Sequence, residues 1–199
     1  WVDRSSSAHV LHAPAAARQP LSTASGLVFD GAAAPNGDCL AVATSVGDAL
    51  GASVTDALLA VTFKADTVGA DAGIVQVTST SPNWAGLSIS FYGGNVLRFT
   101  TGDGVSWNYT DASFTDTTEF HTAALLLAGG LTTPYLDGVA VGTPFSVSAF
   151  SLATRPRLIG SYKTNDYNLD GTIPNVLVAS GDQSANLARI QGWLEANKP

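Results

Sequence analysis

Polar and apolar residues alternate along much of this chain with the period of two that belongs to β-strands. Leu87, Ile89 and Phe91 alternate with Ser88, Ser90 and Tyr92, which sorts them onto opposite faces of one strand. Other segments are nearly continuous apolar runs. Ala57 to Ala65 reads as a mostly buried strand, and Cys39 to Thr44, Phe120 to Leu127, Gly26 to Gly31 and Gly73 to Ser79 as further strands. Gly93-Gly94-Asn95 and Gly102-Asp103-Gly104 turn the chain before Val96 to Thr100 and Val105 to Tyr109. Asp137-Gly138, between Tyr135-Leu136 and Val139 to Val141, predicts a tight hairpin because both turn residues tolerate positive backbone angles.

One segment departs from this period. Leu187, Ile190 and Leu194 fall at helical spacing with Trp193 beside them, so a short C-terminal helix is expected over 184–197, with Asp182 or Ser184 at its start and Trp193 assigned to packing. Gly192 inside it costs about 1 kcal/mol relative to alanine, so packing must hold the helix. Residues 1–26 are rich in Ala, Ser and Pro and are expected to be an irregular lead-in. Many short strands joined by Gly, Asp and Asn turns predict an all-β, two-sheet antiparallel sandwich, with residues 1–199 forming one domain.

Composition narrows the function classes. The chain of 199 residues carries a net charge of -7, and 13% of its residues are charged against 45% hydrophobic. That balance is too apolar for disorder. No basic stripe is present, so neither a nucleic acid nor an anionic membrane is an expected partner. No apolar run approaches the roughly 20 residues of a membrane helix. Cys39 is the only cysteine, which excludes an internal disulfide; within its apolar run it reads as a buried, inert thiol. The chain starts at Trp1 and contains no methionine, so it is expected to be processed or part of something longer.

A set of motifs resembles the laminin-G-like, concanavalin-A-like jelly-roll family of bacterial and phage proteins. Trp1-Val-Asp-Arg-Ser5 is similar to its W-x-D-x-S opening, and Arg18-Gln-Pro20 and Phe29-Asp-Gly31 follow in order. Glu119-Phe-His-Thr-Ala-Ala124, with Phe120 in place of a tryptophan, resembles the W-H-x-V-A strand. The Asp137-Gly138 hairpin, Leu158-Ile-Gly160 and Asp170 to Val178 keep the family order, and Ala188 to Leu194 resembles its R-x-x-I-E-G-Y-L helix, with Gln191 in place of the glutamate. The resemblance implies a jelly roll with a short C-terminal helix. It also implies a role among sugar-binding and adhesion modules and phage attachments, in an extracellular or virion-surface setting.

Catalysis is not expected. Glucanases of the resembled fold carry paired glutamates on one strand; here the only glutamates, Glu119 and Glu195, lie in different elements. His9, His12 and His121 lack the further ligands a zinc site needs. A sugar site needs an aromatic face for ring C–H groups and amides or carboxylates for hydroxyls. Trp84 lies in a polar loop, Trp107 and Tyr109 share one strand face, and Tyr162 and Tyr167 flank Asn165 and Asp166. These make Trp84, Trp107, Tyr109, Tyr162, Tyr167 and Asn165 the candidate carbohydrate-binding residues. Asp166, Asn168 and Asp170 are hard oxygen ligands and form a candidate calcium site; no other cofactor is expected. The expected function is a non-catalytic carbohydrate-binding or adhesion module, with a cell-surface glycan as partner. The alternative is a structural decoration domain that contacts only protein neighbours in a larger assembly.

Overall fold

The computed structural model describes residues 11–12, 19–32, 38–42, 53–78, 85–150, 157–163 and 166–199. In chain order the strands are β1 (Leu11–His12), β2 (Leu21–Thr23), β3 (Gly26–Asp30), β4 (Leu40–Val42), β5 (Ala57–Ala65) and β6 (Ala72–Thr78). They continue as β7 (Ala85–Phe91), β8 (Val96–Asp103), β9 (Trp107–Ser113), β10 (His121–Ala128), β11 (Leu131–Leu136) and β12 (Val139–Ala140). The last are β13 (Phe145–Ser146), β14 (Arg157–Ile159), β15 (Ser161–Lys163), β16 (Asp166–Asn168) and β17 (Asp170–Ser180), followed by helix α1 (Leu187–Ala196). Among the described residues, one sheet has the order β1-β4-β14-β6-β7-β8-β9 and the other β12-β11-β10-β5-β17-β3-β2, with every pairing antiparallel. This is the expected all-β sandwich. β13 pairs with β11, and β15 with β16 form a separate ribbon.

The alternating strands line the space between the sheets. Leu59, Val61 and Phe63 of β5 face Leu87, Ile89, Leu97 and Phe99 of β7 and β8 in one core. Phe63, Phe91 and Phe114 form an aromatic cluster there, with ring centroids 5.4–6.0 Å apart. β5 was expected to be mostly buried, and both β5 and β10 are apolar on both faces. Leu58, Ala60, Ala124 and Leu126 form a second cluster on the outside of the eight-stranded sheet, and Leu194 of α1 covers it with Leu187 and Ile190. On the outer face of the seven-stranded sheet, no helix packs among the described residues, and the outward side chains Gln76, Ser88, Ser90 and Thr100 are polar and buried.

Three expectations need correction. The stretch 1–26 was expected to be irregular, yet it contributes β1 and β2; each is only two or three residues long and is held by pairing with β4 or β3 rather than by its own pattern. The segment 184–197 is a 3-10 turn over Ser184–Asn186 followed by an α-helix that begins at Leu187. Asp182 caps the 3-10 turn, accepting from the Ser184 backbone N–H at 2.8 Å, whereas Asn186 at the start of α1 makes no side-chain cap bond. Trp193 was expected to pack but is 47% exposed, because the face of α1 that meets the sheet is formed by Leu187, Ile190 and Leu194. Cys39 is buried, as expected.

The hairpin at Asp137-Gly138 has positive φ at both residues, 47° and 78°, as a type I′ turn requires. Its aspartate also ties three elements together. Asp137 Oδ1 accepts from the Thr122 backbone N–H at 2.9 Å, and Oδ2 lies 2.7 Å from His121 Nδ1. Lys198, beyond α1, reaches Asp137 at 3.6 Å and Glu195 at 2.7 Å, and Glu195 accepts from the Thr122 hydroxyl at 2.7 Å.

Asp56 does similar work at the other end of β10. Its carboxylate accepts from Gly129 N–H and from the Thr55 hydroxyl, both at 2.6 Å. These bonds, the Gly129 one foremost, hold its pKa below the usual aspartate value; Asp103, Asp116 and Asp182 are lowered by hydrogen bonds as well. A lowered folded-state pKa gives stability that is complete above the unfolded value of about 3.9 and lost as pH falls through the folded value. The melting temperature is therefore expected to drop between about pH 5 and about pH 2. The Asp56→Asn variant should show a smaller drop than wild type in thermal unfolding followed by circular dichroism.

Candidate functional site

The β7-β8-β9 meander builds the site, and its turns set the register. Asn95 takes φ of 65° between β7 and β8. Asp103 Oδ1 accepts from Val105 and Ser106 N–H at 2.8 and 2.7 Å, closing the turn into β9. With that register, Ser90 pairs with Arg98 and Arg98 with Asp111, while Thr100 pairs with Tyr109 and Gly102 with Trp107. Leu97 and Phe99 point into the core. Alternation therefore sends Arg98 and Thr100 to the outer face, beside Trp107, Tyr109 and Asp111.

Arg98 is the centre of this face. Its Nε and Nη2 donate to the two oxygens of Asp111 at 2.8 and 2.9 Å. Its guanidinium carbon lies 3.6 Å from the centroid of Tyr92 and 3.9 Å from that of Tyr109. The Asp111 hydrogen bonds raise the Arg98 pKa further. Tyr92 and Tyr109 are nevertheless 51% and 52% exposed. Two aromatic rings are thus held at fixed spacing by a planar cation while half of each remains available to solvent. Cation–π contacts of this kind contribute about 0.5–1 kcal/mol each at exposed positions.

A cavity of about 240 Å³ adjoins the stack, lined by Asp71, Ser90, Tyr92, Arg98, Trp107 and Tyr167. Asp71 precedes β6 and pins the β7-β8 turn by accepting from Gly93 N–H at 2.8 Å. A second cavity of about 240 Å³ shares Asp71 and Tyr167 and adds Thr67, Asn168 and Asp170. Each is smaller than the roughly 300–1,000 Å³ usual for an enclosed small-molecule pocket. The two cavities share Asp71 and Tyr167 as lining residues and lie side by side, and we refer to them together as the groove. Tyr167 stands at the junction with φ of 59°, a left-handed conformation costly for a bulky side chain. Asn168 Nδ2 donates to the Ala32 carbonyl at 2.8 Å, and the buried Asn168 Oδ1 has no hydrogen-bond partner.

The groove gathers only part of the expected set. Trp107 and Tyr167 line the first cavity, and Tyr109 stacks on the arginine that completes it. Trp84 and Asn165 lie outside the described residues, as do the side chains of Tyr162 and Asp166. Asn168 and Asp170, expected as calcium ligands, line the second cavity with Asp71. Among the described residues no three or more His, Cys, Asp or Glu side chains converge on a metal position. Sequence reasoning missed Arg98, Asp111 and Asp71. The first had a readable signal, since it alternates with Leu97 and Phe99 and so must face outward. Asp71 carried none, because only tertiary structure brings it to Tyr167.

A family model described as the concanavalin A-like lectin/glucanases superfamily matches residues 43–186, well over half of the chain. No curated protein sequence matches significantly. Solved structures share the fold at low identity. The binding domain of botulinum neurotoxin DC, in complex with SialylT, matches at 12% identity and a TM-score of 0.67, covering 98% of this chain and 48% of that one. Domain 4 of the extracellular arabinanase AbnA from Geobacillus stearothermophilus, in complex with arabinotriose, matches at 12% identity and a TM-score of 0.61, covering 90% and 80%. Mouse laminin alpha1 chain matches at 14% identity and a TM-score of 0.57, covering 76% and 40%. The chain thus spans about two-fifths of the laminin structure's length and about half of the neurotoxin's.

Proposed function

The chain belongs to the concanavalin A-like lectin/glucanases superfamily, and from that premise we propose that it is a non-catalytic carbohydrate-binding module that reads glycans along the outer groove of the seven-stranded sheet. The observation that carries this reading is the Tyr92–Arg98–Tyr109 stack. An aromatic face carries partial negative charge and attracts the polarised C–H groups of a sugar ring. Holding the rings in place beforehand reduces the ordering cost of binding. Ser90, Asp71 and Asp170 supply hydrogen-bonding groups beside the rings. Sugars in two of the related solved structures, arabinotriose and SialylT, support a glycan as the partner class.

The non-catalytic reading rests on the glutamates: Glu119 and Glu195 lie in different elements, so no strand carries the pair a glucanase of this fold uses. Asp111 is engaged by both of its oxygens with Arg98, and Glu195 is engaged with Thr122 and Lys198. We place the module outside the cell, on a bacterial or virion surface, the setting the family resemblance implies. A glycan array probed with the whole chain tests the reading. Binding to at least one glycan is expected, and Tyr109→Ala should weaken it about tenfold by removing one stacking face. Binding to no glycan, together with stable multimers in solution, would instead favour a structural decoration domain.

A further inference from the structure

We propose that the glycan taken by this groove is uncharged, and that sugars bearing a carboxylate or sulfate are rejected; this rests on the reading of the groove as a glycan site. The argument begins with Arg98, the only basic side chain lining either cavity among the described residues. An acidic sugar would engage an arginine through its two-pronged edge. In Arg98 the Nε–Nη2 edge is already occupied by Asp111 at 2.8 and 2.9 Å. Both flat faces are covered, by Tyr92 at 3.6 Å and by Tyr109 at 3.9 Å. Any remaining donor sits on a cation that Asp111 neutralises and that the Tyr92 side chain also engages. Such a donor suits a hydroxyl or ring oxygen and offers no net attraction to an anion.

The rest of the groove is acceptor-rich and negative. One oxygen of Asp71 is occupied by Gly93 N–H, and Oδ2 has no partner among the described residues. Asp170 lines the same cavity, and its side chain has no hydrogen bond or ion pair among the described residues. Asn168 Oδ1 is buried without a partner, although the same amide is anchored through Nδ2. Buried acceptors left unmatched are costly. Sugar hydroxyls are donors and would satisfy the two carboxylates, whereas Asn168 Oδ1 is closed off from the groove. A sugar carboxylate would instead meet two protein carboxylates with no free cation among the described residues to offset them, an arrangement that selects against such a partner. The net charge of -7 acts in the same direction at longer range.

An array carrying neutral, sialylated, uronic-acid and sulfated glycans, read at low and high salt, tests this. The expected result is that the strongest ligands are neutral and that Asp71→Asn weakens the best of them about tenfold or more, the loss of a charge-assisted hydrogen bond, with the circular dichroism spectrum unchanged. Three results would overturn it. The strongest ligand could carry a carboxylate or sulfate, Asp71→Asn could leave neutral binding intact, or EDTA could abolish binding and calcium chloride restore it, since the carboxylates would then serve a cation. The first and third of these leave the glycan reading standing. Binding to no glycan of any class removes both.

Discussion

Replacing Gly86 by alanine is expected to destabilise the fold by about 4 kcal/mol, a large share of the roughly 5–15 kcal/mol that a domain has. Gly86 opens the strand that carries Ser88 and Ser90, and its φ of 133° lies where side chains are rarely tolerated. A Cβ there would sit 2.0 Å from the Val77 carbonyl oxygen and 2.7 Å from Thr78 Cα. Both are backbone atoms of the neighbouring strand, so no side-chain rotation can relieve the contact. β6 and β7 would have to separate, which would disturb the sheet beneath the groove. Gly94→Ala is the matched control. It also has positive φ, 62°, but a Cβ there meets nothing within 4 Å. Its cost should be only the left-handed penalty of about 1–2 kcal/mol. Urea unfolding measures both. A Gly86→Ala midpoint equal to that of Gly94→Ala would show that the β6-β7 register is wrong.

Arg98→Met is expected to weaken glycan binding by about 2 kcal/mol, roughly thirtyfold, while costing the fold little. Three contacts disappear together: the two rings lose the cation between them, and Asp111 loses its partner. The rings then become mobile and the free carboxylate adds an unpaired charge beside the groove. Stability should fall less, since Arg98 and Asp111 are partly exposed and such pairs contribute about 1 kcal/mol or less. Arg98→Lys should not rescue binding, because an ammonium cannot stack flat between two rings while forking to a carboxylate. Calorimetric titration with the best array ligand separates the two effects from thermal unfolding. Full binding by Arg98→Met would mean that the stack is decoration.

Local pattern carried much of the fold. The run Ala57 to Ala65 is β5 to the residue, because burial on both faces makes it apolar except for Thr62 and Lys64 near its end. The Asp137-Gly138 hairpin was legible because its backbone angles suit few other residues. The C-terminal helix was legible from Leu187, Ile190 and Leu194, though its first turn tightens to 3-10 around Asp182. The short strands β1, β2, β13, β15 and β16 were not legible; they exist through pairing, and two or three residues show no period, whereas β12 was legible as the second arm of the hairpin and β14 through the Leu158-Ile-Gly160 resemblance.

The site follows the same division. Trp107 and Tyr109 could be placed on one face from their spacing alone. Their meeting with Arg98 and Asp111 depends on the turn at Asp103, which sets the register of β9 against β8. Asp71 and Tyr167 are 96 positions apart in the chain, from 71 to 167, and nothing local to either announces that they line the same cavities.

The central claim is that a glycan binds on the outer face of the seven-stranded sheet. It is tested most directly by titrating a neutral oligosaccharide chosen from the array into isotopically labelled protein and following backbone amide and Trp indole resonances. The account predicts that shifts concentrate at Asp71, Ser90, Tyr92, Arg98, Trp107, Tyr109 and Tyr167, with the Trp193 indole unmoved. Saturable shifts centred on α1 or on the eight-stranded sheet, with the Arg98 face silent, would contradict it.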